Sequence, residues 1–237
     1  MNLATSINRA GKFTSSEIWK LCTMNKSKDG FGAPGITYIK EKAYERRLHR
    51  SLKTEQNSRE TAWGHLVEQY LFSLLEMKYD YNSDLTIQHP LYEYWAGSPD
   101  FQYADTVGDG KCPFTLKSFC EQVEACMEGV QAFKELKPEY YWQLVSNAIL
   151  TDSKFIEIIL FVPNLEQLYE IQALASKQEV DPHKYLFIYH AFENELPYLV
   201  GDGLYKPLNI FKFEPIHGDR EFLIQRVQMA EELIQEL

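Results

Sequence analysis

Two acids and a lysine dominate the chemistry open to this sequence. Gly97-Ser98-Pro99-Asp100 is followed, nine residues after the aspartate, by Asp109-Gly110-Lys111-Cys112-Pro113. In a strand, residues two apart project to the same face, so Asp109 and Lys111 share a face with Gly110 between them. Asp100, expected on a neighbouring strand, can reach the same spot. Two carboxylates and an ammonium suit a divalent metal and a phosphodiester. Hard cations such as Mg²⁺ take oxygens from carboxylates, a backbone carbonyl and water. A bound ion lowers the pKa of its water and neutralises charge on the phosphate, while the lysine holds the phosphate or the attacking hydroxide. A turn-rich hairpin whose acids cap loops has the same short pattern, so the spacing alone leaves both readings open.

The elements that must position these residues change character along the chain. Residues 14–24, TSSEIWKLCTM, are expected as a short helix with Thr/Ser caps, followed by a Gly-, Pro- and Lys-containing loop over 25–35. A basic helix over 37–52 carries Lys40, Lys42, Arg46, Arg47 and Arg50, and a longer helix over 60–79 sets Leu66, Tyr70, Leu74 and Met77 on one stripe. Between 84 and 114 the β-branched and aromatic residues, with turns at His89-Pro90, Gly97 and Gly108, predict a meander of three or four short strands. Helices follow at about 115–133 and 138–151, then a doubly buried strand at 155–162. A helix at 165–176, a strand at 184–191 and an acidic amphipathic helix at 219–236 complete the order. This pattern predicts an α/β fold, a central mixed sheet flanked by helices, with the site at the edge of the meander.

The chain has 237 residues, 45% of them hydrophobic and 24% charged, the balance of a single globular domain over 1–237. No apolar run reaches the length of a membrane span, and the N-terminal residues do not read as a secretory signal. Cys22, Cys112, Cys120 and Cys126 form no CxxC pair and are expected to be reduced thiols, so the expected compartment is cytoplasmic. The formal net charge of −10 argues against nonspecific coating of nucleic acid. Its distribution is uneven: residues 1–60 hold twelve of the 24 Lys and Arg but six of the 34 acids. A basic N-terminal segment on an acidic body can hold a polyanion locally.

Five blocks in order, TSSEI at 14–18, AWGHLVE at 62–68, GSPD at 97–100, DGKCPF at 109–114 and YYWQ at 140–143, resemble the phage lambda exonuclease family of PD-(D/E)XK recombination nucleases. The resemblance runs from residue 9 to about 162 and is loose beyond about 165. It implies a restriction-endonuclease-like core, divided into a basic N-terminal helical segment (1–60), a catalytic core (61–165) and a C-terminal extension (166–237). The implied activity is metal-dependent 5′→3′ hydrolysis of linear duplex DNA. Asp100 takes the place of the metal-bridging carboxylate, Asp109 of the second acid and Lys111 of the catalytic lysine. The Gly110 carbonyl would be a further metal ligand, and Glu68 matches the family's helical glutamate. Gln143 and Tyr140 match a motif near the attacking water. Arg9 falls where an arginine binds the terminal 5′-phosphate, with Ser16 and Ser98 where hydroxyls assist it. Two Mg²⁺ ions (Mn²⁺ substituting), double-stranded DNA ends, a homotrimeric ring and a single-strand annealing protein are the implied cofactors and partners. An endonuclease or a silent DNA-end binder on the same fold are the competing readings.

Two departures qualify the match. The family commonly has Glu where Asp109 stands and frequently an apolar residue where Gly110 stands. Aspartate is one methylene shorter. Gly110 permits a bulge that would bring Asp109 forward, and Asp109→Glu is on this reading expected to keep or raise activity. His65 and His89 read as surface or capping residues, and Tyr92, Tyr94 and Trp95 as core.

Overall fold

The computed structural model describes residues 9–53, 58–75, 80–81, 85–178, 182–201 and 203–236. Its frame is a five-stranded mixed sheet of β2 (Asp80–Tyr81), β5 (Phe101–Tyr103), β6 (Thr106–Lys111), β7 (Phe155–Phe161) and β8 (Leu208–Phe213), in that spatial order. Only β6 and β7 run parallel; the other neighbours are antiparallel. A second sheet joins β1 (Phe13–Thr14) in parallel to β4 (Trp95–Gly97), and β4 in antiparallel to β3 (Ile87–Gln88).

β7 explains how the layers form. Its sequence, FIEIILF, is apolar at nearly every position, so both faces of the strand demand cover. Ile156, Ile158 and Leu160 enter one core, Ile159 and Phe161 another. The first core is covered by α1 (Ala33–Leu48), α3 (Leu116–Glu128), α5 (Pro138–Leu150) and α8 (Asp219–Glu236), through Tyr38, Phe119, Leu144, Val145 and Leu223. The second is covered by α2 (Arg59–Leu74), α6 (Leu165–Ser176) and α7 (Leu186–Tyr189), through Leu66, Leu71, Ile171 and Ile188. α4 (Val130–Leu136) links α3 to α5 and buries Phe133.

Three helices start on side-chain caps. Ser58 accepts the Thr61 N–H at the start of α2, Thr115 accepts the Ser118 N–H at α3, and Asn164 forms a reciprocal capping box with Gln167 at α6. The mixed sheet flanked by helices stands as expected. Several details differ. TSSEI does not open a helix: Thr14 closes β1, and only a 3₁₀ turn over Ile18–Cys22 follows. The strands of 84–114 divide between the two sheets, because β3 and β4 take β1 as partner while β5 and β6 turn to β7. The expected strand at 184–191 is helical, a 3₁₀ turn Pro182–Tyr185 leading into α7. A short apolar run lacks a period that separates helix from strand, and here Tyr185 and Ile188 bury one side against the second core. The real final strand is β8, half-exposed along LNIFKF and therefore weakly patterned. For α2, the expected extension to residue 79, with Met77 on its stripe, lies outside the described residues.

The basic N-terminal segment is partly spent on the fold. Lys42 pairs with Glu45 at 2.8 Å, and Arg46 grips both carboxylate oxygens of Glu231 on α8 at 2.8 and 2.6 Å while its Nε donates to the Gly11 carbonyl. Lys40 and Arg50 are exposed.

Candidate active site

β6 is the origin of the site. Asp109 lies opposite Ile158 and Lys111 opposite Leu160 of β7, so both project on the face that α5 covers. Asp109 is 1% exposed. From α5, one turn into the helix, Gln143 Nε2 donates to Asp109 Oδ1 at 2.9 Å. Lys111 Nζ pairs with Asp109 Oδ2 and stands 5.1 Å from the centre of the Tyr140 ring. Tyr140 and Gln143 reach the same place because three residues on a helix share a face.

Asp100 arrives from the turn between β4 and β5, one residue ahead of the strand where it was expected. Its Oδ2 accepts the Gly110 N–H at 2.8 Å, which ties that turn to β6. Glu68 approaches from α2, on the other side of the sheet, near enough to Lys111, Asp109 and Asp100 for their charges to act on it. The five-stranded sheet thus places the cluster at the end of an interior strand, between β5 and β7. The expected position at a sheet edge is corrected accordingly: β6 has partners on both sides.

Gly110 does not make the bulge that its type suggested. The β6–β7 ladder runs without interruption from Thr106↔Phe155 to Lys111↔Leu160. The glycine serves a different end: a Cβ there would stand 3.2 Å from Leu71 Cδ2 and 3.5 Å from Phe72 Cε1. Its bare Cα lets α2 lie close enough for Glu68 to reach Asp100.

The charges are mutually frustrated. Burial raises the Asp100 carboxyl well above its ordinary value, and repulsion from Asp109 and Glu68 raises it further. Burial also raises Glu68, against the pull of Lys111. Burial opposes the charge on Lys111, but Asp109 and Asp100 outweigh it and hold the ammonium charged. Burial, with Glu68 nearby, pushes the Cys112 thiol far up, which keeps it neutral. Among the described residues no three His, Cys, Asp or Glu side chains stand grouped so as to hold a metal ion. Lys111 and the Gly110 amide occupy the oxygens that would otherwise converge. The donor chemistry nevertheless fits a hard divalent cation: Asp100 and Glu68 are raised by burial and by neighbouring carboxylates, and a cation would relieve that repulsion.

Support comes from a buried network that sequence reasoning did not single out. Ser15 and Ser146 share a hydrogen bond of 2.8 Å, and Trp95 Nε1 donates to Ser146 at 2.9 Å. Asn147, one turn beyond Gln143, is fully buried against Gly97. Its spacing from Gln143 was the available signal. Ser98 shares a hydrogen bond of 3.1 Å with Thr86, and Ser16 is exposed. These two serines follow the C-terminal ends of the paired parallel strands β4 and β1. Arg9 is exposed ahead of β1, its carbonyl accepting from Lys12 N–H, and among the described residues no contact joins it to either serine. His89 Nδ1 accepts the N–H groups of Leu91 and Tyr92 and its ring stacks on Trp95, the capping role expected of it. His65 meets Lys184 at the surface.

A family model for the YqaJ-like viral recombinase domain matches residues 7–154. The chain belongs to that family. The YqaJ-like match includes every site residue named above and stops one residue short of β7. No match was found among curated protein sequences. The fold of this YqaJ-like chain is that of PD-(D/E)XK exonucleases. An alkaline exonuclease, LHK-Exo from Laribacter hongkongensis, is 15% identical with a TM-score of 0.61, over 96% of this chain and 90% of that one. A phage related exonuclease from Haemophilus somnus 129PT is 14% identical, also with a TM-score of 0.61, over 95% of this chain and 94% of that one. LHK-Exo in complex with dAMP aligns equally well, at 14% identity, a TM-score of 0.61 and the same coverage of 96% and 90%. No helix among the described residues is long and apolar enough to cross a membrane.

Proposed function

We propose that the chain is a metal-dependent DNA exonuclease that hydrolyses linear duplex DNA from 5′ ends in phage-type recombination. One observation carries this reading: Glu68, Asp100, Lys111 and Gln143, drawn from α2, a turn, β6 and α5, gather around the buried Asp109 and its strand. Family membership and a fold shared with exonucleases support it.

Glu68, Asp100, Asp109 and the Gly110 carbonyl would hold Mg²⁺, two ions in the full site, with Mn²⁺ able to replace it. Bound there, the metal supplies an acidified water and neutralises charge on the scissile phosphate. Lys111 would place its ammonium on the phosphate. Gln143 and Tyr140 orient the attacking water from α5. Arg9, Ser16 and Ser98 receive the terminal 5′-phosphate, where charge-assisted hydrogen bonds favour the more highly charged end. The working form is a homotrimeric ring in the cytoplasm, threaded by DNA and acting with a single-strand annealing protein.

The test uses 5′-phosphorylated linear duplex beside a circular duplex, with Mg²⁺. The parent chain is expected to release nucleotides from the linear DNA alone, and Asp100→Asn or Lys111→Ala to release none while unfolding at the parental temperature. Cleavage of circles would establish an endonuclease, and near-parental cleavage by either variant would overturn the site.

A further inference from the structure

A second concavity lies beside the proposed catalytic cluster, between the start of α2, the residues that follow β6, and α7 with the segment after it. Its volume is about 220 Å³, and Arg59, Phe114, Phe187, His190 and Glu195 line it. The Phe114 and Phe187 rings meet edge to face at 6.3 Å, and the Arg59 guanidinium lies over Phe187 at 5.4 Å from the ring centre. Phe114 is held from beneath by Trp63, 6.0 Å away.

Arg59 is out of place for a structural residue. It is exposed and occupies the first position of α2, where the positive end of the helix dipole disfavours a cation. Among the described residues its side chain makes neither an ion pair nor a hydrogen bond. An exposed guanidinium beside a part-exposed phenylalanine ring offers an aromatic surface with a positive charge. Flat π-faces and cations together suit the bases and backbone of unpaired nucleic acid. His190 and Glu195 add ring nitrogens and carboxylate oxygens able to pair with a base edge. The volume is below that of a pocket for a drug-sized ligand and suits one base.

The chain fixes how near this surface is to the cluster. Phe114 follows Lys111 by three residues, which limits their Cα separation to about 11 Å. Along α2, Arg59 precedes Glu68 by nine residues, about 13.5 Å at the helical rise. Those spans equal three to four stacked nucleotides at about 3.4 Å each.

We propose that this pocket stacks an unpaired nucleobase of a DNA strand, a few nucleotides from the bond being cut. The proposal rests on the nuclease reading for its substrate. It gives α7, which lies beyond the family match, a role in holding single-stranded DNA.

The experiment uses the full chain in EDTA, which spares the oligonucleotide, and single-stranded DNA carrying 2-aminopurine at successive positions. Binding is read by anisotropy and stacking by quenching of the 2-aminopurine. The parent is expected to bind and to quench at one or two positions. Arg59→Gln and Phe187→Leu are expected to weaken binding about tenfold or more and to abolish the quench. Phe187→Tyr, which keeps the ring, is expected to retain both. Unfolding temperatures identify any variant that fails to fold, and the remaining variants then decide. Undiminished quenching in both Arg59→Gln and Phe187→Leu, or no binding by the parent, overturns the proposal. Release of nucleotides from linear duplex with Mg²⁺ is measured separately: activity without quenching leaves the nuclease reading standing and removes the pocket, and quenching without activity does the reverse.

Discussion

Asp109 is held at both ends. Gln143 fixes one oxygen and Lys111 the other, in a place where the residue is 1% exposed. Sequence comparison suggested that the longer glutamate would be welcome at this position. The buried, doubly held carboxylate points the other way: an added methylene would have to displace it, and overpacking a filled site costs about 1–3 kcal/mol. Asp109→Glu is therefore expected to lower the cleavage rate about tenfold or more, with Mg²⁺ at saturation, through displacement of the carboxylate. A rate equal to or above the parent's would show that the pocket accommodates the longer side chain. The same residues mark what the sequence made legible. Asp109 and Lys111 share a strand face because of a period of two, and Tyr140 and Gln143 share a helix face because of a spacing of three. The meeting of these two pairs depends on α5 crossing β6, a long-range fact that no local pattern contains.

At the scale of elements, close approaches set the register between layers. Gly97 ends β4 directly under α5: a Cβ there would fall 2.1 Å from Ser15 Oγ, 2.6 Å from Asn147 Oδ1 and 2.7 Å from Leu150 Cδ1. Ser15 just after β1, and Asn147 and Leu150 both on α5, cannot all give way. Gly97→Ala is expected to cost about 3 kcal/mol and to lower the unfolding temperature by about 6–12 °C, measured calorimetrically. Gly110→Ala meets only looser contacts, 3.2 Å from Leu71 and 3.5 Å from Phe72, so its cost in stability should stay below about 1 kcal/mol. Its effect belongs to the site: α2 must retreat by a few tenths of an ångström, taking Glu68 with it. Equal destabilisation by the two substitutions would show that the closeness of α5 to β4 is not a firm constraint. Elements with strong signals were readable, notably β7 with its apolar run. α7 and β8 were not, since one is too short to show a period and the other alternates weakly at a half-exposed edge.

For the molecule as a whole, the C-terminal helix closes the structure onto its beginning. Arg226, 3% exposed, donates from Nε to the Leu21 carbonyl at 2.7 Å and from Nη2 to those of Thr23 and Gly30 at 3.2 and 3.3 Å, with its guanidinium 3.7 Å from the centre of the Phe31 ring. Asp219, at the head of α8, receives both Lys134 Nζ at 2.7 Å and Tyr141 OH at 2.5 Å, and so anchors the helix that carries Gln143. Arg226→Met leaves the Leu21 carbonyl without its donor, while those of Thr23 and Gly30 keep the N–H groups of Gly32 and Asn25, and is expected to cost about 2 kcal/mol, read as an unfolding temperature lower by about 4–8 °C. No change in stability would mean that water replaces the guanidinium at no cost. The family resemblance was weakest in this part of the chain, yet its residues complete the layer that the matched blocks cannot close alone.

β7 is shared by two cores, and the cluster straddles them: Gln143 and Asp109 face the first, while Glu68 stands on the helix that covers the second. The order of synthesis then matters. A chain emerging from the ribosome releases Glu68, Asp100, Asp109, Lys111 and Gln143 early, but β7 only after residue 155 and α8 last of all. Until β7 pairs with β6 in parallel, the carboxylates have no common frame, and such nonlocal pairing is slow to form. A nascent or partly refolded chain therefore carries the residues proposed for catalysis without the frame that assembles them, and the proposed activity arrives only once β7 has paired with β6.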